Sequence, residues 1–337
     1  MEKTKLLILR LTDRCNLSCK YCYAASEETM DMSLETAKAA IDLLAKPGEK
    51  LKIQFTGGEP LLCTQRIKEI AQYGKEQGIQ MAFSIQTNGT LLDRERCALL
   101  KELRCSVGIS MDGLGEANSL RCFPDGSSST DAVIQGLRNL QYFGLGCNLN
   151  AVVTKVNQSR LSELLDLAVL IPAVKGLGLD MFRPMGRGAQ EDYSPHLDLL
   201  EQDLLHLLKR QEKLQTLGVK VRIKELEKVR QMLQYHIKRD CYCYAESGHS
   251  AAVDPRGDLY PCASLVGKKE LRMGNVHGGT VLVPKLPSMN AQCLSCPDKD
   301  LCMGGCPAGR IACGGCNPAD CRMHQIMIQV GRRETHA

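Results

Sequence analysis

Apolar runs alternate with amphipathic stretches through residues 5–182. The runs at 5–11, 51–55 and 81–85 are short and apolar, as buried strands are. Between the first two, Ser33 stands where a helix N-cap is expected, with Glu35 in the first turn. The alternation predicts further strands at 106–111, 147–153 and 176–182, with helices at 33–44, 64–78, 94–103, 130–142 and 159–171. These units predict an α/β fold in which six parallel strands form an open or partial (β/α)6 barrel.

The second half of the chain changes character twice. Residues 197–235 are rich in Leu, Lys and Gln and predict helices, with a break at 217–219 and a short strand at 219–223. After Asp240, Gly, Pro and Cys dominate, and we expect short, loop-rich elements that need metal ligation for stability. We therefore divide the chain into a partial barrel at 1–195, a helical bridge at 196–240 and a Cys-rich, loop-rich domain at 241–337.

Composition excludes several classes of protein. The chain has 337 residues, 44% of them hydrophobic, which is enough for a sizeable core. No apolar run reaches the roughly 18 residues of a membrane span, and Arg10 interrupts the short apolar N-terminal stretch, so no span and no signal peptide are expected. The net charge is +5, with no Trp and no basic stretch interleaved with aromatics. A nucleic-acid partner or a membrane partner is therefore not expected.

The cysteine content is the most informative part of the composition. The chain has 18 Cys, of which three lie at 15–22 and ten at 241–321. Secreted disulfide frameworks are typically short chains, whereas clustered cysteines in a cytosolic protein more often bind metal. The sequence therefore predicts at least two metal sites in a protein of the reducing cytoplasm.

The first cysteine cluster follows the first predicted strand directly. Cys15, Cys19 and Cys22 have the spacing C-x3-C-x2-C. Three thiolates can hold three irons of a 4Fe-4S cluster and leave the fourth iron open to a ligand. The loop also lies at the carboxyl end of a barrel strand, where barrel enzymes place their active sites. A zinc knuckle with a remote fourth ligand is the alternative at this point.

A Gly-Gly-Glu-Pro segment, residues 57–60, follows the second predicted strand. Two glycines allow the backbone to approach a ligand closely. Together with C-x3-C-x2-C and Tyr21 before its last cysteine, this segment resembles the radical S-adenosylmethionine (SAM) superfamily, and the resemblance covers residues 5–182. It implies that the cluster binds SAM, that Gly57, Gly58 and Glu59 meet the methionine amine, and that one electron from a flavodoxin or ferredoxin-type reductant yields a 5′-deoxyadenosyl radical.

The resemblance implies further SAM contacts at the ends of the next strands. Asn88 follows strand three and Ser110 ends strand four, where polar groups would face the nucleoside. Arg121, in the loop that follows, corresponds to an arginine that grips the SAM carboxylate in relatives. A plain turn at Asn88-Gly89 and a solvated arginine at 121 are the alternatives.

The second cysteine region has the pattern Cys243-x13-Gly257-x4-Cys262, then C-x2-C-x5-C-x3-C from residue 293, then a later cysteine. This pattern resembles the SPASM domain, which carries two auxiliary 4Fe-4S clusters in radical SAM enzymes. The resemblance implies three clusters in all, with auxiliary cluster I on Cys241, Cys243, Cys262 and Cys306, and auxiliary cluster II on Cys293, Cys296, Cys302 and Cys321. Cys313 and Cys316 are not required by the pattern, and either, Cys316 before Cys313, can replace Cys321.

The remaining cysteines have less distinctive positions. Cys97, Cys105 and Cys147 lie in helix or strand patterns and are expected to be small core residues. Cys122 follows Arg121 in a loop over the predicted site, so a substrate contact is an alternative there.

The chain resembles ribosomal-peptide maturases of this class and, less closely, anaerobic sulfatase-maturing enzymes. In the latter, an Asp directly after the cysteine that corresponds to Cys262 acts as a base. Here that position is Ala263. The loop at 182–188 resembles that of peptide maturases and haem-modifying enzymes, and its Arg183 and Arg187 are expected either to meet substrate carboxylates or to be solvated. Asp254 to Asp258 is expected to be a turn between two strands.

The sequence therefore predicts an enzyme that abstracts hydrogen from a peptide and forms a thioether or carbon–carbon cross-link. No leader-recognition domain fits before Lys5, so we expect recognition by a separate protein, by the bridge, or without a leader. The alternatives are a haem or other small-molecule maturase, a sulfatase-maturing enzyme and a non-enzymatic iron-sulfur electron carrier.

Overall fold

A ten-stranded sheet runs through the described part of the protein. The computed structural model describes residues 5–24, 29–46, 48–278 and 281–335. The strands, in chain order, are β1 (Leu6–Arg10), β2 (Leu51–Thr56), β3 (Met81–Thr87), β4 (Ser106–Ser110), β5 (Cys147–Val153), β6 (Val174–Met181), β7 (Arg222–Ile223), β8 (Ser250–Val253), β9 (Asp258–Tyr260) and β10 (Gly274–Asn275). Their order in the sheet is β10-β9-β8-β1-β2-β3-β4-β5-β6-β7. The strands β1 to β6 are mutually parallel, which confirms the predicted α/β class and the six-stranded partial barrel.

Helices connect the barrel strands and cover the C-terminal half. They are α1 (Leu34–Leu44), α2 (Thr64–Glu76), α3 (Arg94–Glu102), α4 (Thr130–Tyr142), α5 (Ser162–Leu170), α6 (Leu197–Thr216), α7 (Lys224–Gln234), α8 (Ala291–Leu294), α9 (Lys299–Cys302), α10 (Pro307–Ala312) and α11 (Pro318–Thr335). No helix within the described residues is long and apolar enough to cross a membrane.

Local sequence explains how the barrel units begin and pack, as α1 illustrates. The Ser33 side chain caps this helix by accepting a hydrogen bond from the Thr36 amide, as predicted. Its buried face consists of Ala37, Ala40, Ile41 and Leu44, which recur at helical spacing. Burying that stripe against the sheet fixes the helix on the barrel wall.

The main core lies between the strands and this layer of helices. Alternate residues of β1 and β2, such as Leu7, Leu9, Ile53 and Phe55, are fully buried. Cys97, Cys105 and Cys147 belong to the same core, so the prediction that they are small core residues is confirmed.

The sheet continues from the barrel into the Cys-rich region. The strand β8 pairs in parallel with β1, and β9 returns antiparallel to β8. The turn between β8 and β9 is held by Asp254, whose Oδ1 accepts hydrogen bonds from the amides of Arg256 and Asp258, both at 2.9 Å. The predicted turn at 254–258 is confirmed, whereas the proposed domain bounds stay a prediction.

The expectation of only short elements after Asp240 is wrong at the C-terminus. The helix α11 spans 18 residues and begins with Pro318, a favoured residue in a first helical turn. Its apolar residues Met323, Ile326 and Met327 are buried in the main core. The helix is also tied to α7 by the ion pair of Arg230 with Glu334. Apolar burial therefore stabilises this segment as well.

Smaller differences concern element ends. Helix α5 begins at Ser162 rather than 159, because residues Gln158–Arg160 form a 3-10 turn before it. Strand β6 begins at Val174, two residues earlier than predicted, and β7 is shorter than predicted. These shifts do not alter the order of the elements.

Candidate functional site

A cavity of about 820 Å³ opens at the carboxyl ends of the barrel strands. This is the edge at which parallel barrel enzymes carry their active sites. We call it the barrel cavity. Of the side chains and glycines predicted to serve a cluster or SAM, it is lined by Cys15, Cys19, Cys22, Gly57, Gly58, Asn88, Ser110 and Arg121.

The three cysteines of the first motif lie in the loop that follows β1. The Cys15 thiol accepts a hydrogen bond from the Leu17 amide at 3.4 Å, and Asn88 Nδ2 lies 3.8 Å from it. Burial raises the pKa of the Cys19 thiol to about 11, opposed by the nearby Arg121 guanidinium. A buried thiol of this kind ionises readily only when a metal or cationic group compensates its charge.

The two glycines after β2 are required by the packing of this loop as well as by any approach to a ligand. The Gly58 amide donates to the Thr12 carbonyl at 2.7 Å, and the Glu59 amide donates to the Arg14 carbonyl at 2.9 Å. A Cβ at Gly57 would collide with the Thr12 carbonyl oxygen, and a Cβ at Gly58 would collide with that of Arg14. Glycine at 57 and 58 therefore lets the β2 loop pack directly on the cysteine loop.

Glu59 does not face the cavity. Its carboxylate is fully buried and accepts hydrogen bonds from Thr87 Oγ1 and the Asn88 amide, each at 2.7 Å, and from the Leu61 amide at 3.0 Å. Burial raises the pKa of this carboxyl group, and these hydrogen bonds oppose that rise. The Glu59 side chain thus holds the end of β3 in position. Because Asn88 follows β3 directly, this contact also positions Asn88 at the cavity wall.

Arg121 is not a solvated loop arginine, since it is only 9% exposed. Its Nη1 donates to the Tyr21 hydroxyl at 2.8 Å, and this hydroxyl donates in turn to Asp112 Oδ2. Asp112 is also fixed by the Val152 amide, which donates to Oδ1 at 2.9 Å. Within the part of the chain that the structure describes, Tyr21 is the only hydrogen-bond acceptor of the Arg121 guanidinium, so its other N–H groups are available to a ligand.

The loop at 182–188 packs against the cysteine loop and lines the same cavity. The Arg187 amide donates to the Cys22 carbonyl at 3.0 Å, and its Nη1 donates to Ser18 Oγ at 2.9 Å. Arg183 lines the cavity as well, so neither arginine is simply solvated. The Cys122 thiol, by contrast, is buried below the loop against the Ser18 carbonyl and does not line the cavity.

A second cavity of about 760 Å³ adjoins the first, and we call it the bridge cavity. Asn150, Asp180, Arg183 and Lys224 line both cavities, so the two spaces meet at these residues. Sequence reasoning missed Asp180 and Lys224, because an exposed charge in a strand or helix pattern carries no sign that it faces a cavity.

The four cysteines predicted for auxiliary cluster I lie in one region. Cys241, Cys243 and Cys306 line the bridge cavity. Cys243, Cys262 and Cys306 pack on a small apolar core formed with Ala308 and others. Burial, with Cys306 and Cys243 beside it, raises the pKa of the Cys262 thiol to about 12.

The cysteines predicted for auxiliary cluster II also converge, and a fifth thiol joins them. Burial raises the pKa of Cys302 to about 11, and the neighbouring thiols include Cys321 and Cys293. Burial also raises the pKa of Cys316 to about 12, with Cys321 and Cys293 again beside it. Cys313 neighbours Asp320 and Arg183 instead. Of the two spare cysteines, only Cys316 is therefore placed as an alternative to Cys321.

The donor chemistry of these groups fits iron-sulfur clusters. Thiolates are the usual ligands of such clusters, and the groups hold three, four and four of the predicted cysteines. In the segments 5–24, 29–46, 48–278 and 281–335, no group of three or more Cys, His, Asp or Glu side chains is arranged around a single metal ion.

Comparison with known sequences also indicates an iron-sulfur protein of the radical SAM type. The sequence model of the Radical SAM superfamily matches residues 9–168. An uncharacterised protein of Methanocaldococcus jannaschii is 34% identical over 86% of this chain and 94% of its own length. A serine-type anaerobic sulfatase-maturating enzyme of Klebsiella aerogenes is 27% identical over 92% of this chain and 81% of its own. Fe-coproporphyrin III synthase of Methanosarcina barkeri is 37% identical over 49% of this chain and 41% of its own.

Solved structures resemble the whole chain. The structure of native anSMEcpe with bound AdoMet has a TM-score of 0.79 at 21% identity, covering 97% of this chain and 99% of that one. The structure of Streptococcus suis SuiB bound to precursor peptide SuiA has a TM-score of 0.68 at 18% identity, covering 95% of this chain and 75% of that one. At these identities the likeness establishes a shared fold.

Proposed function

Because the chain belongs to the radical SAM superfamily, we propose that it abstracts hydrogen from a peptide substrate and forms a thioether or carbon–carbon cross-link in it. The observation that carries this proposal is the junction of the two cavities. One is lined by the three-cysteine loop and the other by cysteines predicted for an auxiliary cluster, with the shared residues between them. A substrate at the junction would reach both the barrel cavity and the bridge cavity.

The barrel cavity is proposed as the site of radical generation. Bound there, a 4Fe-4S cluster on Cys15, Cys19 and Cys22 together with SAM would supply a 5′-deoxyadenosyl radical. Arg121 would bind the SAM carboxylate through its unbonded N–H groups. The remaining contacts are assigned to the backbone from Gly57 to Glu59 and to the side chains of Asn88 and Ser110.

Two further clusters are proposed in the C-terminal region, which makes three in total. Cys241, Cys243, Cys262 and Cys306 would hold one, and Cys293, Cys296, Cys302 and Cys321 the other. Full ligation by four thiolates leaves no open iron, which suits electron transfer rather than SAM binding. The high cysteine content supports a reducing cytoplasm as the location, with a flavodoxin or ferredoxin-type protein as electron donor.

Three observations support a peptide as substrate. The structural neighbours include SuiB bound to its precursor peptide and anSMEcpe bound to a peptide named Kp18Cys. The joined cavities each exceed 700 Å³, which suits an extended segment of several residues. Arg183 and Lys224 at the junction can pair with carboxylates of such a segment. The proposal keeps the three routes of recognition stated above, namely a separate leader-binding protein, the bridge, or recognition without a leader.

The test uses anaerobically reconstituted protein, SAM, a reductant and whichever Cys-rich peptides the short open reading frames beside the gene are found to encode. The proposal expects a peptide that loses two hydrogens, detected by mass spectrometry, together with 5′-deoxyadenosine. A peptide whose mass is unchanged in H2O but rises by about one mass unit in D2O would indicate epimerisation and would contradict cross-linking. Formylglycine in a sulfatase peptide would point to sulfatase maturation instead.

A haem-type maturase is the second candidate, favoured by the 37% identity to Fe-coproporphyrin III synthase over half of this chain. The arginines and lysines at the two cavities would pair equally well with the carboxylates of a tetrapyrrole. Incubating the same protein with a tetrapyrrole and following its absorption spectrum separates the two candidates, since cross-linking activity predicts no spectral change.

A further inference from the structure

Asp180 occupies a distinctive place between the two cavities. It is the penultimate residue of β6, and its side chain lines both the barrel cavity and the bridge cavity. That side chain is 62% exposed, although it belongs to a strand whose neighbours are mostly buried. A substrate that reaches from one cavity to the other would lie beside Asp180 and the other shared residues.

The surroundings of Asp180 leave one carboxylate oxygen available. Arg183 Nη2 donates to Asp180 Oδ1 at 2.8 Å, which fixes the orientation of the carboxylate. Among the residues that the structure describes, Oδ2 receives no hydrogen bond, so it is free to accept a proton from a bound molecule.

The other carboxylates at the cavities are less suited to this task. Asp13 is 5% exposed and paired with Arg10. Glu225 is half-buried, and burial raises its pKa to about 7, but its carboxylate accepts a hydrogen bond from the Leu179 amide and lines only the bridge cavity. Asp240 also lines only the bridge cavity. Lys224 lines both cavities, but an ammonium group carries no lone pair to accept a proton.

The chemistry at the junction requires a proton acceptor. Residue 263, beside the predicted cluster ligand Cys262, is an alanine and cannot serve. We propose that Asp180 is the catalytic base that takes the proton of the substrate nucleophile, an inference that rests on the proposed function.

In thioether formation, a substrate C–H bond and a Cys S–H bond would break and a C–S bond would form. One hydrogen would leave as an atom to the 5′-deoxyadenosyl radical, and Asp180 Oδ2 would take the thiol proton. The surplus electron needs a one-electron acceptor, which an oxidised 4Fe-4S cluster held by the C-terminal cysteines would supply. The proton then leaves Asp180 for solvent through the open side of the junction, since the carboxylate is largely exposed.

The test compares Asp180→Asn with the unsubstituted enzyme on the peptide that the latter modifies. Asparagine keeps the shape and can still accept from Arg183, but it is not a base. We expect 5′-deoxyadenosine to form as before, while cross-linked peptide falls by roughly a hundredfold or more. The ratio of 5′-deoxyadenosine to product therefore rises, which a general loss of folding or of SAM binding would not cause.

Two controls make the result specific. Asp131→Asn is the same chemical change at an exposed position of α4 outside both cavities, and it should leave the ratio unaltered. Asp180→Glu retains a carboxylate and should restore part of the product. An unchanged ratio in Asp180→Asn would overturn the inference alone. If the unsubstituted enzyme modifies no peptide, the proposed function fails and the inference fails with it.

Discussion

Replacing Arg121 by alanine should weaken SAM binding while leaving the cluster in place. The guanidinium is buried at the wall of the barrel cavity and is oriented by a chain of hydrogen bonds through Tyr21 to Asp112. Only one of its nitrogens has a partner, Tyr21, among the residues described. The remaining N–H groups are preorganised for a carboxylate, because the Tyr21 contact fixes the plane of the side chain.

The size of the effect follows from these contacts. Loss of one hydrogen bond between charged groups typically costs about 1.5–3 kcal/mol, which corresponds to roughly ten- to a hundredfold in affinity. Arg121→Ala also removes a cation beside buried Asp112, whose pKa is already raised by burial and is held down in part by Arg121. We therefore expect a smaller, separate loss of about 1–3 kcal/mol in the free energy of unfolding. Arg121→Lys keeps the positive charge but loses the planar, two-pronged guanidinium. Its SAM affinity should therefore lie between those of the unsubstituted protein and Arg121→Ala.

Equilibrium dialysis of SAM against anaerobically reconstituted protein measures the affinity directly. Arg14→Ala is the matched control, since it removes an arginine from the same cavity whose Nε and Nη2 both donate to Asp31. Iron content must be equal in all variants, so that a lost cluster is not mistaken for a lost SAM contact. An Arg121→Ala protein with unchanged SAM affinity and normal iron content would refute the assignment.

The cluster ligands, the buried Glu59 carboxylate and Ala263 each give a further prediction. Reconstituted protein should approach about twelve irons by the cysteine count, and joint replacement of Cys15, Cys19 and Cys22 by alanine should remove about four of them; a plateau near four irons in the unsubstituted protein, or stoichiometric zinc, would contradict the C-terminal assignment. Glu59→Ala leaves three donors without their acceptor and should lower the free energy of unfolding by about 3 kcal/mol in urea titrations, whereas a change below about 1 kcal/mol would contradict its structural role. Because Ala263 provides no base beside Cys262 and Asp180 lies instead at the junction of the two cavities, a sulfatase peptide with Cys or Ser should yield no formylglycine by mass spectrometry, even where 5′-deoxyadenosine forms.

Local patterns were sufficient to predict most of the barrel. The helix Thr130–Tyr142 and the strand Cys147–Val153 have the predicted bounds, because their apolar spacing and flanking residues determine them without reference to the rest of the chain. Helix α11 was missed because its apolar residues follow a segment dense in Gly and Cys. Its stability comes largely from packing on α6 and α7, which no local pattern reveals.

Site residues were predictable where a motif fixes their chemistry and not where the fold alone brings them together. Cys15 and Arg121 reach one cavity because both follow barrel strands whose carboxyl ends share an edge. Glu59 belongs to a recognisable motif, yet the end of β3 occupies its carboxylate. Asp180 carries no distinctive spacing, so only the tertiary structure relates it to a cavity, whereas the sequence already offered Cys316 as an alternative to Cys321 and the structure places it beside Cys321 and Cys293.

The most direct test of the account is the transfer of hydrogen from substrate to SAM-derived product. The peptide that undergoes modification is prepared with deuterium at all carbon-bound positions and incubated with reconstituted enzyme, SAM and reductant. The account predicts that 5′-deoxyadenosine gains one deuterium and that the peptide is cross-linked in equal amount. Unlabelled 5′-deoxyadenosine accompanying a modified peptide, or modification without SAM cleavage, would contradict it.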